Sequence, residues 1–268
     1  MTDLTQEAVL AYLDWWQASG VTGGVSETAT DWFAAPRRPA APVAQQPPPL
    51  RMAQPALQPA QPKQAAKPAA ALEAAARQAA ASARTLDELH RLLQAFEGCG
   101  LKATAKNLCF YRGVPQARLM LIGEAPGRDE DLEGKPFVGR AGQLLDKMLA
   151  AIGIDESKVH IANTVYWRPP GNRTPTPEET LSCAPFLARQ MELVGPEVVV
   201  LLGGVAAKSV LGLTEGILKL RGKWRAFPIA GREVKTLATL HPAYLLRTPA
   251  AKRQAWSDLL MIEKALAG

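Results

Sequence analysis

Five carboxylates, Glu124, Asp129, Glu130, Asp131 and Glu133, fall within ten residues of a segment that opens Gly123-Glu124-Ala125-Pro126-Gly127 and closes at Gly139. Four glycines and two prolines in those 17 residues demand a fixed and unusual backbone path. Carboxylates this crowded raise one another's pKa if buried together, which suits a general base or a metal site. Equally, some can cap the helix that follows. His241, one of three histidines, is followed by Pro242, which fixes the turn behind it. An imidazole there is either a structural loop residue or a working group of a site. Asn163 carries an amide that donates and accepts at once, which matches the edge of a nucleobase. Nine basic residues lie between Lys219 and Arg253, including Lys223 and Arg247, with only Glu233 opposing them. Trp224, Tyr244 and Trp256 are interleaved with them. That strip is either a solvated basic surface or a face for a polynucleotide.

These groups need elements to hold them. The apolar run 118–122 predicts a buried strand that ends at Gly123 and feeds the acidic loop. Residues 159–162 predict a second strand ending at Asn163, and 197–202 a third ending at Gly203-Gly204. Residues 235–240 predict a fourth, ending at His241. Helices are expected at 141–153, from Thr176-Pro177 onward, at 205–211 and at 249–266. Thr85-Leu86-Asp87-Glu88 reads as a capping box opening another. Strands alternating with helices predict an α/β fold, a three-layer α/β/α sandwich around a central, mainly parallel four-stranded sheet. In such sheets the ligand crevice lies beyond the carboxyl ends of the strands. The site is therefore expected at 123–131, 163–173, 203–205 and 241–247.

Composition narrows the class. At 47% hydrophobic residues over 268 positions, the chain can bury a core, yet no run approaches the ~18 apolar residues of a membrane span. The first residues are acidic (Asp3, Glu7) and no basic-then-apolar leader appears, so a secretory signal is not expected. Three cysteines cannot make a disulfide framework and suit a reducing cytoplasm, the expected location. A net charge of +6 permits an anionic partner. Three parts are expected along the chain. Residues 1–33 carry a short amphipathic helix with Val9, Leu10, Leu13 and Trp16 at helical spacing. Residues 34–84 form a disordered Pro/Ala-rich linker, with ten prolines between 36 and 68 and an Ala-rich fraying helix at 69–83. Residues 85–268 form the folded domain.

The segments GEAPGRDEDLEGKPFVGRAGQLL (123–145), NTVYWRPPGNRTPTPEE (163–179), VVVLLGGVAA (198–207) and HPAYLLR (241–247) together resemble the family 4 branch of the uracil-DNA glycosylase superfamily. The resemblance runs from about Leu86 to the C-terminus, with the motifs in order. It implies hydrolysis of the bond between uracil and deoxyribose in single- or double-stranded DNA, with the base flipped into a tight pocket. Carried over position by position, it implies that Phe137 stacks on uracil and Asn163 bonds its polar edge. Glu130 would lie near C5, where it helps exclude the thymine methyl group. His241 would donate to O2, and the backbone around Gly123, Glu124 and Ala125 would hold the base carbonyls. Because the position equivalent to the water-activating Asp of family 1 is Ala125, Glu124 is the first candidate to orient water, with Asp129, Glu130 or Asp131 behind it. Tyr244-Leu245-Leu246 would be the apolar wedge, and Arg173, Arg247 and the 219–225 run, Lys223 included, would hold phosphates.

Family 4 proteins usually bind a [4Fe–4S] cluster through four cysteines. The matching positions here are Phe96, Cys99, Trp167 and Cys183, and only two are thiols. No cluster is therefore expected, nor any other metal or cofactor, with the Phe96 and Trp167 rings filling its space and Cys99 and Cys183 close together as reduced thiols. No basic, His-containing insert follows Arg168-Pro169-Pro170, so turnover rather than covalent trapping on the sugar is expected. Lys135 is the only lysine in the acidic loop, so Schiff-base chemistry is not indicated. A monomer is expected, with the N-terminal helix either an idle tether end or a dock for a repair or replication partner. Two other readings stay open: a glycosylase of altered base choice (hypoxanthine, xanthine or mismatched thymine), and a DNA-binding protein that recognises uracil or abasic sites without catalysis.

Overall fold

The computed structural model describes residues 69–267. The expectations for the 5–16 helix and for the Pro-rich stretch as far as residue 68 lie outside the described residues. Six strands form one sheet: β1 (Arg112–Gly113), β2 (Leu119–Gly123), β3 (Val159–Asn163), β4 (Val198–Leu202), β5 (Trp224–Ile229) and β6 (Arg232–Thr239). Their spatial order is β1-β3-β2-β4-β6-β5. The central four are parallel, as expected from their apolar runs, and all five residues of β2, β3 and β4 are buried.

The expected four-stranded sheet is extended by an antiparallel strand at each edge, β1 on β3 and β5 on β6. Both additions are short or mostly half-exposed, with Pro228 inside β5, so neither produces the continuous apolar run that marks a central strand.

Nine helices occur among the described residues: α1 (Ala69–Ser82), α2 (Leu86–Ala95), α3 (Arg128–Glu133), α4 (Arg140–Ala150), α5 (Pro177–Val194), α6 (Gly204–Leu211), α7 (Ile217–Leu220), α8 (Pro242–Arg247) and α9 (Lys252–Ala267). Strand residues alternate between two cores. Met120, Ile122, Val199 and Leu201 pack on one side with Leu89 and Leu93 of α2, Phe186 of α5 and Ala206 of α6. Leu119, Leu121, Val198, Val200 and Leu202 pack on the other with Leu145 and Leu149 of α4 and Leu259 of α9. Three layers result.

The start of α5 follows its sequence signals. Glu179 N–H donates to Thr176 Oγ1 at 3.2 Å, Thr176 N–H donates back to Glu179 Oε2 at 2.8 Å, and Pro177 takes the first helical position. At α2 only half of the expected box forms. Thr85 Oγ1 accepts from Glu88 N at 3.2 Å, but the Glu88 carboxylate accepts from Arg84 N instead.

One boundary is corrected. The Ala-rich run, expected as a fraying helix within the linker, is helix α1, which instead packs along α5 with Ala76 and Ala80 buried, and Ala83 just past its end is buried too. Arg189 of α5 donates to the Ala83 carbonyl through Nε at 3.0 Å and Nη2 at 2.8 Å. Small side chains let two helices approach closely, and that gain depends on the facing surface of α5, which lies about a hundred residues away in sequence.

The topology also places a crevice. After β2 the chain crosses on the α4 side to reach β3, whereas after β4 it leaves on the α6 side. β2 and β4 are hydrogen-bonded neighbours, so their exit loops diverge and open a cleft between them.

Candidate active site

Strand register sets the floor of this cleft. Gly123 and Asn163 are opposite each other at the ends of β2 and β3, and Leu202 is opposite Thr239 at the ends of β4 and β6. The four predicted segments therefore emerge along one edge of the sheet. Above them lies a cleft of about 480 Å³ lined by Glu124, Ala125, Glu130, Phe137, Arg173, His241, Tyr244 and Arg247 among others.

His241 is the N-cap of α8. Its Nδ1 accepts a hydrogen bond from Ala243 N–H at 3.1 Å. An Nδ1 that accepts leaves the ring proton on Nε2, so the neutral ring is a donor at that atom. Burial, joined by the neighbouring Arg247 charge, pulls the imidazole down to about 4. Gly203, at φ 93°, gives the ring room, since a Cβ there would come within 3.0 Å of His241 Cβ.

The Phe137 ring lies beside it, with centroids 5.6 Å apart and planes inclined at 30°. Phe137 is buried and adopts φ +57°, a conformation rare for a bulky side chain. Gly123 lies under its ring. A Cβ on Gly123 would fall 2.5 Å from Phe137 Cζ and 2.5 Å from Asn163 Oδ1. Asn163 is 1% exposed, and neither Nδ2 nor Oδ1 has a partner. A buried primary amide left unpaired costs free energy and is rare in folded proteins. Here it lies against the aromatic ring that lines the cleft.

The loop after β2 is pinned by its own polar groups. Gly123 C=O accepts from Thr164 N at 2.9 Å, and Glu124 C=O accepts from Thr164 Oγ1 at 2.6 Å. With these peptides trans, the N–H groups of Glu124 and Ala125 point the opposite way from those carbonyls. Two backbone donors can therefore face a ligand. The Glu124 carboxyl is pushed up by burial, and a hydrogen bond with Thr174 opposes the shift. The cause is desolvation rather than the crowding of carboxylates that the sequence invites.

Two of the other four carboxylates are engaged by backbone N–H groups. Glu130 lines the cleft, but its Oε2 accepts from Gly127 N at 3.0 Å and its Oε1 from Gly139 N at 2.9 Å. That clasp closes the two ends of the loop over α3. Asp131 is buried and its Oδ1 accepts from the N–H groups of Lys106 (2.8 Å) and Asn107 (3.2 Å). Asp129 and Glu133 are exposed.

Several residues of the expected DNA face are placed differently. Leu245 is 1% exposed and packs with Leu240, Ala251 and Ala255, so it belongs to the core and cannot be the wedge. Helical spacing turns it inward and leaves its neighbours Tyr244 and Leu246 exposed. Arg173 lines the cleft but holds Glu179 through two hydrogen bonds, at 2.8 and 2.6 Å. Arg221 of the basic run is bound to the buried Asp258 of α9, at 3.1 and 2.6 Å. Lys223 is exposed outside the cleft lining, and Arg247 is exposed at its edge. Asn172, Thr174 and Ala243, which also line the cleft, were not singled out by sequence reasoning. Their only sequence signal is membership of the motif segments.

Cys99 and Cys183 lie with their Sγ atoms 3.8 Å apart, the Cys183 thiol donating to Cys99. Both are buried in the core that contains Trp167 and Phe186, with Phe96 packed on it and 5.1 Å from the Phe186 ring. Cys109 is turned elsewhere, its thiol donating to the Glu130 carbonyl at 3.1 Å. Among the described residues no three His, Cys, Asp or Glu side chains gather as metal ligands. Two thiols beside two aromatic rings do not fit a four-thiolate cluster.

The family model described as the uracil DNA glycosylase superfamily matches residues 110–260. A Type-4 uracil-DNA glycosylase of Archaeoglobus fulgidus is 41% identical over 182 residues, 66% of this chain and 92% of the relative. One of Thermotoga maritima is 42% identical over 153 residues, 56% of this chain and 77% of the relative. A Type-5 uracil-DNA glycosylase of Pyrobaculum aerophilum is 31% identical over 148 residues, 50% of this chain and 64% of the relative. The chain belongs to the uracil-DNA glycosylase superfamily.

Proposed function

We propose that this protein excises uracil from DNA by hydrolysing the N-glycosidic bond of a flipped-out deoxyuridine, giving free uracil and an abasic site. The observation that carries this reading is the unpaired Asn163 amide beside the Phe137 ring, which lies 5.6 Å from the His241 ring. A planar ring can stack on Phe137 while the amide reads a donor and an acceptor on its edge. Asn163 Nδ2–H would donate to uracil O4, and Oδ1 would accept from N3–H. The Glu124 and Ala125 amides add donors for the base carbonyls.

As the C1′–N1 bond breaks, its electron pair moves onto uracil and collects on N1 and O2. The neutral His241 donates from Nε2–H to O2 and so stabilises the departing anion without transferring a full proton. A donor aimed at developing charge in a partly dry site is worth about 3–4 kcal/mol of barrier. The sugar becomes cationic at C1′ and is attacked by water. Glu124, free of backbone clasps and partly buried in the cleft, orients that water and takes its proton. Glu130 shapes the wall near C5 while holding the loop. Exposed Tyr244 and Leu246 would enter the stack vacated by the base. Arg247 and Lys223 would hold phosphates.

On this reading the reaction needs no metal, and the Phe96 and Trp167 rings take the place of the two missing cluster ligands. The enzyme works as a cytoplasmic monomer. A gel assay tests the core of the proposal. Uracil-containing single- and double-stranded oligonucleotides should be cut after alkaline treatment, while thymine, hypoxanthine and xanthine controls stay intact. Binding of uracil DNA without cleavage would refute it, and cleavage of another base would redirect it.

A further inference from the structure

We infer that Gly142 is a positioning residue for Phe137, and hence for the base. This rests on the proposed role of Phe137 as the stacking platform. Gly142 is buried in the first turn of α4, where glycine weakens a helix relative to alanine. Its φ is not in the positive range, so it is not required for backbone freedom. Space explains it. A Cβ on Gly142 would meet Phe137 O at 1.7 Å, Phe137 C at 2.2 Å and Phe137 Cα at 2.9 Å. All three are backbone atoms, which cannot swing aside as a side-chain tip can.

The bare Cα of Gly142 is therefore the seat on which the Phe137 peptide rests. The same peptide belongs to a residue at φ +57°, held in a strained conformation that persists only when its surroundings impose it. Left-handed backbone at 137 carries the side chain over Gly123 and beside His241. Two glycines thus bracket Phe137, Gly123 beneath its ring and Gly142 beneath its backbone. The Glu130 clasp to Gly127 and Gly139 fixes the loop that precedes the seat. Any side chain at 142 must lift the Phe137 peptide, and the ring then leaves its place over Gly123 and beside His241.

Four full-length proteins test this: wild type, G142A, F137A and the double variant. Each is measured for kcat and KM on a uracil oligonucleotide, for affinity for free uracil, for affinity for DNA carrying an abasic site, and for thermal melting. G142A is expected to lose at least about tenfold in kcat/KM and in uracil affinity, while abasic-DNA affinity and cooperative melting persist. Because Gly142 acts through Phe137, the double variant should lie within about twofold of F137A. A G142A that matches wild type overturns the inference, as does a double variant whose losses multiply. Loss of melting and of abasic-DNA affinity together with uracil affinity would also overturn it, by making the role a general one in folding. A wild-type protein inactive on uracil DNA would defeat the proposed function and this inference with it. Activity in wild type with an unimpaired G142A defeats the inference alone.

Discussion

Asn163 sits opposite Gly123 in the β2–β3 register, and its side chain lies so close that a Cβ on Gly123 would come within 2.5 Å of Oδ1. The amide gains nothing from the protein in return, since both of its polar atoms are unpaired. Such a group is a cost to the empty protein that, on the proposed reading, a bound base would remove. Asn163→Ala should therefore cut excision by about a hundredfold or more while leaving the melting temperature unchanged or slightly raised. Calorimetry alongside single-turnover kinetics checks both halves. A large loss of stability would mean that the amide has partners in the protein.

Stability and activity should respond differently to acid. His160 and His241 both have values lowered from 6.5 to about 4, chiefly by burial. Below 6.5 the unfolded chain takes up protons that the folded chain refuses. Stability is thus full above 6.5 and falls as pH drops toward 4, by about 3 kcal/mol for the fully buried His160. Denaturant midpoints measured between pH 7 and 4 should show the decline, and His160→Gln should lessen it.

The acid limb of excision should belong to Glu124. Its value is raised above the ordinary 4.5 by burial, so the carboxylate proposed to orient water would be lost as pH falls through that raised value. His241 stays a neutral donor until about pH 4 and does not limit the rate first. A kcat/KM profile should fall on the acid side at a pH above 4.5, and Glu124→Gln should flatten that limb at a low rate. A profile that keeps the same acid limb in Glu124→Gln would remove Glu124 from the role.

Adjacent leucines of α8 should behave in opposite ways. Leu245→Ala empties a packed site and should cost about 2–5 kcal/mol of stability. Leu246→Ala changes an exposed side chain and should leave stability within about 0.5 kcal/mol. If Leu246 is part of the proposed wedge, it should matter more for double-stranded than for single-stranded substrate. Equal losses on both substrates would contradict that role.

How far these features were legible depends on the physics behind each. β2, β3 and β4 announce themselves because strands buried on both faces must be apolar at every position. The ends of those strands follow, and with them Glu124 and Asn163, while His241 follows from the buried C-terminal half of β6. Edge strand β5 is half-exposed along most of its length, so it leaves no comparable run. Helix α1 looks like linker because alanine reveals nothing about what it packs against. Five carboxylates in one loop are visible, but their fates are not. Glu130 is consumed by two backbone N–H groups, Asp131 by two others, and only the folded path brings those donors near. Charge counting misled in the same way at Arg221, whose guanidinium belongs to Asp258. The left-handed backbone at Phe137 had no signal at that residue, although Gly142 five residues later is its trace.

Free and paired cations should separate in salt dependence. Lys223→Ala and Arg247→Ala should each weaken DNA binding and lower the slope of log affinity against log salt by about 1 if they hold phosphates. Arg221→Ala should instead destabilise the fold by about 3–5 kcal/mol, since it strands the buried Asp258 carboxylate. Unchanged salt slopes for both Lys223 and Arg247 would place the DNA elsewhere.

The most direct test of the whole account is a crystal structure of the protein soaked with uracil. The base is expected to lie flat on Phe137, with its O4 and N3–H on the Asn163 amide and O2 within hydrogen-bond distance of His241 Nε2. Uracil bound away from Phe137, or in the cleft with the Asn163 amide still unpaired, would contradict it.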